Sequence, residues 1–333
     1  MELDNLRFIG RHIIKNNQPY FSFSGSGFIF RVVPENNNCL VKLVLNSEIR
    51  EESTQFLAIY INDVFYSKYM IINGHAELYL TINKDSIIRI IKANEVYLSS
   101  IYLEDIVVTN GKMVKAEEVK RKLIGFFGDS LTCGYGLLDY QGQQFRMETE
   151  DFTKTYAYLV ANELNMDYDV VARSGISVGV PIYLPTLFKD IYDTVDMFDK
   201  YEMNRKLDYA VINLGSNDNS AIFQFMKEEE RGSALDRFKE EYQSLVERII
   251  KDNENAKIIL CYHIDHLNER LLERIKEAYE DISSKYDNKC LLLGLKHNSD
   301  GACYHPFYLT HADNAKILVN AIKELEKEEK EKE

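Results

Sequence analysis

Residues 122–136 read KLIGFFGDSLTCGYG. After Lys122 the next six form an unbroken apolar run that stops at Gly128, and a small polar turn follows. A short apolar run without polar alternation is the pattern of a strand covered on both faces. Four more runs of this kind follow: YDVVARS (168–174), DYAVINLG (208–215), KIILCYH (257–263) and KCLLLGL (289–295). Between them lie segments of helical period, DFTKTYAYLVANELN (151–165), 233–251 and 267–286, and another, 313–325, follows the last run. Strand and helix in alternation predict a parallel sheet with helices on both faces, a three-layer α/β/α domain.

Upstream of this stretch the rhythm is different. FSFSGSGFIFRVV (21–33), NCLVKLVLN (38–46), QFLAIYINDVF (55–65), HAELYLTI (75–82), SIIRIIKA (86–93) and SSIYLEDIVV (99–108) are short apolar runs. Turn residues such as Pro34-Glu35-Asn36-Asn37, Ile72-Asn73-Gly74 and Asn110-Gly111 bound most of them. Evenly spaced short strands predict an all-β sandwich or jelly roll. A basic connector, 112–122, then leads into the α/β half, so the domains are expected at 1–115 and 116–333. The tail KELEKEEKEKE (323–333) reads as a solvated helix end or a frayed terminus.

The chain has 333 residues, which suits two domains at roughly 150 residues each. With 45% apolar and 28% charged residues it is neither disordered nor collagen-like. Sixteen Gly and five Pro leave no room for a long flexible or polyproline linker. A net charge of −13 repels phosphate, so neither nucleic acid nor an anionic membrane surface is an expected partner. No run approaches 18 consecutive apolar residues, the span of a membrane helix. The opening MELDNLRFIGRHIIKNN is charged and lacks the apolar core of a leader. A cytoplasmic location is therefore expected, unless the chain has been trimmed of such a leader. Cys39, Cys133, Cys261, Cys290 and Cys303 are odd in number and form no CxxC pair. They read as free thiols.

In an open α/β sheet ligands sit at the carboxyl ends of strands. Those ends carry Gly128-Asp129-Ser130-Leu131, then Ser174-Gly175, then Gly215-Ser216-Asn217-Asp218, and, after the last strand and a loop, His305-Pro306. Taken singly, each has a plain alternative. Ser130 suits a helix N-cap, Asn217-Asp218 suits a turn, and His305 suits a surface loop. In this order they resemble the SGNH (GDSL-type) hydrolases. That resemblance implies a flavodoxin-like three-layer fold with Ser130 as nucleophile. A serine hydroxyl needs a base to take its proton, and His305 is the candidate. The resemblance also implies an oxyanion hole built from the backbone N–H groups of Ser130 and Gly175 and the side-chain amide of Asn217, with Asp129 and Asp218 in support.

One position departs from the pattern. The Asp expected three residues before the histidine is Ala302 here; Cys303 is two before and Asp300 five before. A backbone carbonyl can hold the imidazole tautomer as well as a carboxylate can. A Ser130–His305 dyad is expected, with Asp300 the candidate third member.

Nearly the whole chain resembles the family-two carbohydrate esterases, which join an N-terminal jelly roll to an SGNH domain. The matching pieces are GSGFIFRV (25–32), AIYINDVF (58–65), the junction KLIGFFGDSLTCGYG, METEDFTKTYAYLVANEL (147–164) and HPFYLTHADNAKIL (305–318). The resemblance implies hydrolysis of O-acetyl esters on carbohydrates, with an acetylated mono- or oligosaccharide as substrate and no cofactor. Two readings stay open beside it: a short-chain acyl thioesterase or lysophospholipase, and a carbohydrate-binding protein with a degenerate catalytic domain.

The chain lacks Trp, the usual sugar platform, and has 22 Tyr. Tyr135, Tyr304 and Tyr308 lie near the motifs. Cys261-Tyr262-His263-Ile264-Asp265-His266 is too local for a tetrahedral zinc site. No metal is expected, and His263 is a candidate pocket wall or substrate contact. His311 is expected to pack at the start of the last helix, and Cys133 to line the pocket. Hydrolysis is expected to rise through about pH 6.5, the ordinary histidine pKa.

Overall fold

A computed structural model of the chain describes residues 3–49, 54–116, 120–286 and 290–332. It divides into two compact units, Met1–Lys120 with Asp193–Glu202, and Arg121–Tyr192 with Met203–Glu333.

The first unit is one curled antiparallel sheet, jelly-roll-like in form. Its strands are β1 (Arg7–Ile9), β2 (Ile13–Lys15), β3 (Gln18–Phe21), β4 (Gly27–Pro34), β5 (Cys39–Ile49), β6 (Thr54–Ile61), β7 (Val64–Ile72), β8 (His75–Ile82), β9 (Ser86–Lys92), β10 (Ser99–Thr109) and β11 (Gly111–Val114). They run in the order β1-β4-β9-β6-β7-β8-β5-β10-β3-β2, with β11 also on β4. Among the described residues β7 and β8 pair at Ile72–His75 alone, which lets the ribbon turn over on itself there. Strand β8 shows why it forms: Ala76, Leu78, Leu80 and Ile82 are buried and the residues between them are exposed. This period of two sends one face into a core shared with Val41, Leu43, Leu57, Ile59 and Ile90.

Several strands differ from the sequence reading. The run at 21–33 breaks after Phe21 and resumes at Gly27. The run at 55–65 reverses at Asn62-Asp63, both with positive φ, and the chain returns as a separate strand, β7. Part of the expected connector is strand β11, while 117–119 lie outside the described residues. Asp193–Glu202, which read as α/β, belongs to the first unit. Polar contacts hold it there. Tyr20 Oη donates to Asp196 Oδ2 at 2.5 Å, Lys15 Nζ to Asp199 at 2.7 Å, and Arg11 Nη1 to the Thr194 carbonyl at 2.9 Å. Such pairings leave no periodic signal in a sequence.

The second unit runs β12 (Leu123–Gly128), α1 (Ser130–Cys133), α2 (Tyr156–Glu163), β13 (Asp167–Ala172), α3 (Phe188–Ile191), β14 (Tyr209–Asn213), α4 (Ser216–Ser220), α5 (Glu228–Asp252), β15 (Lys257–His263), α6 (Glu269–Lys285), β16 (Cys290–Leu295) and α7 (Tyr308–Lys332). Lys289, expected to open the last strand, lies outside the described residues. All five strands are parallel, in the order β13-β12-β14-β15-β16. This is the flavodoxin-like order. Right-handed crossovers that build outward in both directions from β12 place helices on both faces; α2 packs with α7 and α5 with α6. Strand β12 is buried throughout, as its unbroken apolar run requires. Helix α5 begins earlier than its apolar period. Glu228, Glu229 and Glu230 occupy its first turn, where carboxylates favour the helix dipole, and the Lys227 N–H donates to Glu230 at 3.1 Å. The acidic tail continues α7 to Lys332. Among the described residues no helix is long and apolar enough to cross a membrane.

Candidate active site

The order of the sheet puts its switch point between β13 and β14, on either side of β12. Groups that follow these strands face one crevice. Ser130 follows β12, Gly175 follows β13 and Asn217 follows β14.

Gly128 ends β12 where a Cβ would overlap the Thr132 hydroxyl, so the chain can turn tightly only with glycine there. Asp129 then caps the turn, its Oδ1 accepting the Leu131 N–H at 3.0 Å. The capping role that a lone Ser130 could fill is thus taken by its neighbour. The Ser130 hydroxyl instead lies 2.8 Å from His305 Nε2. Ser130 is 9% exposed.

His305 arrives on the loop after β16. Asn314 of α7 fixes the root of that loop, donating to the Lys296 carbonyl at 2.9 Å and accepting the Lys296 N–H at 2.8 Å. Just before the histidine, Cys303 (φ 51°) and Tyr304 (φ 62°) are both left-handed, a conformation that costs about 1–3 kcal/mol per non-glycine residue. The result is a carbonyl turned inward: Cys303 O lies 3.0 Å from His305 Nδ1. A carbonyl only accepts, so Nδ1 carries the proton and Nε2 offers its lone pair to the serine. Asp300 does not occupy that position. Its carboxylate accepts from Asn298 Nδ2 at 2.6 Å and its carbonyl from the Gln141 N–H at 2.8 Å. Burial lowers the His305 pKa below 6.5, and the bond to Cys303 opposes the shift.

Gly175 has φ of 77°, a left-handed conformation that favours glycine. The Tyr183 ring lies across it, 3.3 Å from where a Cβ would stand. Asn217 Nδ2 donates to the Ile176 carbonyl at 2.9 Å and points at Asp129 Oδ2 across 3.4 Å, the second contact being weak at that length. Asp218 is more than a turn residue. Fully buried, it accepts the N–H groups of Val178, Gly179 and Val180 at 2.7–2.9 Å, and so fastens the loop that carries Gly175 onto the Asn217 segment. Burial pushes its carboxyl up to about 6, against the pull of the three amides.

Tyr135 stacks on Phe145, with ring centroids 4.0 Å apart, and its ring also meets His305 at 4.7 Å. Tyr304 is 75% exposed, and Tyr308 is exposed on the first turn of α7. Cys133 is buried. His263 is buried as well, which does not suit an open substrate contact. Its ring meets His297 edge-to-face at 5.4 Å, and His297 stacks on His266 at 3.7 Å. The sequence reading passes over His297 because it comes from a different strand end than His263 and His266. Among the described residues the ligand atoms of Cys261, His263, Asp265 and His266 do not converge on one point. His311 is buried at the start of α7 and accepts the Tyr156 N–H.

The sequence profile of the GDSL-like lipase/acylhydrolase family matches residues 126–320. The chain belongs to the GDSL-like lipase/acylhydrolase family. Among curated proteins, the chain is 27% identical to the cellulase/esterase CelE of Acetivibrio thermocellus over 161 residues, which are 46% of the present chain and 18% of CelE. The match thus spans less than a fifth of that relative's length. The chain also shares its fold with solved structures. A family two carbohydrate esterase from Clostridium thermocellum in complex with cellohexaose aligns over 96% of this chain and 98% of its own, with a TM-score of 0.85 and 20% identity. The acetyl xylan esterase Est2A from the rumen bacterium Butyrivibrio proteoclasticus aligns over 97% and 96%, with a TM-score of 0.81 and 20% identity.

Proposed function

We propose that the protein is a serine esterase that removes acetyl groups from carbohydrate hydroxyls through an acyl-enzyme on Ser130. The observation that carries this reading is the 2.8 Å contact of the serine hydroxyl with His305 Nε2, the far nitrogen being held by a carbonyl. Nε2 takes the serine proton as Oγ attacks the ester carbonyl. The N–H groups of Ser130 and Gly175 receive the negative oxygen, together with the Asn217 N–H that points only weakly at Asp129. The imidazolium returns its proton to the leaving sugar oxygen. Water then repeats the sequence against the acetyl-enzyme, which frees acetate and restores the serine. Cys303, through its carbonyl, has the orienting part that a third carboxylate has in a triad.

A sugar ester is supported by the shared fold of the family two carbohydrate esterases, one of them in complex with cellohexaose. An acetyl ester is supported by the likeness to an acetyl xylan esterase. The test is release of acetate from 4-nitrophenyl acetate and from a panel of acetylated mono- and oligosaccharides, with product NMR to locate the hydroxyl freed. Wild type releases acetate and Ser130→Ala does not. Equal release by both overturns the nucleophile assignment, and cleavage of long-chain acyl thioesters in preference to sugar acetates overturns the substrate class.

A further inference from the structure

Three segments bear the groups proposed to act: the nucleophile turn, the end of β14 that leads to Asn217, and the segment running from His305 into α7. Tyr156, the first residue of α2, meets all three. Its hydroxyl lies 2.7 Å from Thr132 Oγ1, on the turn that displays Ser130. The same hydroxyl accepts from Asn213 Nδ2 at 3.2 Å, at the last residue of β14. Its backbone N–H donates to His311 Nδ1 at 3.3 Å, and the two rings lie nearly parallel with centroids 6.1 Å apart. The ring edge packs on Phe126 of β12 at 6.0 Å. Tyr156, Thr132, Asn213 and His311 are all buried.

We propose that Tyr156 is a positioning residue, the joint that holds the nucleophile turn, the Asn217 segment and the histidine segment in register. The proposal rests on the reading of Ser130 as nucleophile. Because Asn213 supplies a proton to the phenol oxygen, the phenol's own proton is available to Thr132. Removing the hydroxyl leaves Thr132 Oγ1 and Asn213 Nδ2 buried without this partner, and such groups shift until they find another. Nucleophile and base tolerate little displacement, on the order of 0.5 Å. Burial raises the phenol pKa well above its ordinary value, so it stays protonated across the working pH range. The bond from the Tyr156 N–H to His311 Nδ1 ties α2 to the turn of α7 that follows His305.

A purely structural tyrosine would be replaced by phenylalanine at a loss of stability alone. Tyr156→Phe, Thr132→Val, Thr132→Ser and the Phe/Val double variant distinguish the two roles. The readouts are kcat and KM on 4-nitrophenyl acetate, and the second-order rate of labelling by a serine-directed fluorophosphonate, which needs no sugar. Tyr156→Phe is expected to lower kcat roughly 10- to 100-fold, as a misplaced catalytic group does. KM stays within about twofold, because the phenol touches no substrate and the lost term is one of positioning. The labelling rate falls in parallel. Thr132→Val falls similarly, Thr132→Ser stays near wild type, and the double variant loses no more than the worse single one. Wild-type kcat and labelling in Tyr156→Phe, or additive losses, overturn the proposal. If Tyr156→Phe fails to fold, the two Thr132 variants decide, and equal activity in both overturns it. Should Ser130→Ala still hydrolyse ester, the underlying reading fails; should Ser130→Ala be dead and Tyr156→Phe normal, only this inference fails.

Discussion

The two sheets place their left-handed residues differently. In the antiparallel unit three pairs sit at hairpins, Asn16-Asn17 between β2 and β3, Asn62-Asp63 between β6 and β7, and Asn73-Gly74 between β7 and β8, while Gly10, Gly25, Asn110 and Met197 have positive φ singly. Two consecutive positive φ values are what a two-residue type I′ hairpin loop demands. In the parallel unit Gly134, Gly136, Gly142, Asn165, Asp265, Gly175, Gly215, Cys303 and Tyr304 have positive φ, and the last four border candidate catalytic groups. The cause is topological. Antiparallel strands end alternately at opposite edges, so their turns serve to reverse the chain. Parallel strands all end at one edge, so four distant loops gather there and their unusual backbone can aim groups at a common point.

This contrast can be broken by substitution. The largest effect is expected for His305→Ala, a fall in kcat of about 10⁴ or more with the fold intact by circular dichroism; near-normal turnover would remove the second unit's claim to the chemistry. Next is Gly175→Ala, which places a Cβ in a left-handed backbone beside Tyr183 and disturbs a proposed oxyanion donor. Loss of one such donor lowers kcat roughly 10²- to 10³-fold, and steady-state kinetics at a verified folded fraction measures it. Asn73→Val, in a hairpin, is expected to lower unfolding stability by about 1–2 kcal/mol in urea titration while kcat is unchanged. A kcat loss there would show that the hairpin also serves the site.

The smallest effect separates buried from exposed titrating groups. Burial lowers His263, His297 and His311 to about 3, and lowers His305 from 6.5. Each binds a proton less readily when folded than when unfolded, so stability present above pH 6.5 is lost as pH falls from 6.5 toward 3. Unfolding midpoints across that range test this, with a shallower slope expected in His263→Phe. For activity the same burial keeps His305 neutral into more acidic solution. The acidic limb of kcat/KM should therefore lie below the 6.5 of an unperturbed imidazole, and a limb at or above that value contradicts the burial argument.

The sequence by itself determined the five parallel strands and the succession Ser130, Gly175, Asn217, His305, because strands covered on both faces must be written as continuous apolar runs and their loops carry what is left. It also marked β4, β5, β6, β8, β9 and β10 of the first unit, but not β1, β2, β3 or β11. Strand β7 escaped it, since Val64, Phe65 and Tyr66 are exposed apolar residues that blur the alternation. Only the tertiary structure decided that Cys303 rather than Asp300 meets His305, because a backbone carbonyl has no letter of its own and its direction depends on two strained φ angles. Asp218 clamping three amides, Tyr156 joining three segments and 193–202 leaving the α/β half were likewise decided in space. Each depends on bonds between residues distant along the chain, which folding alone brings within reach.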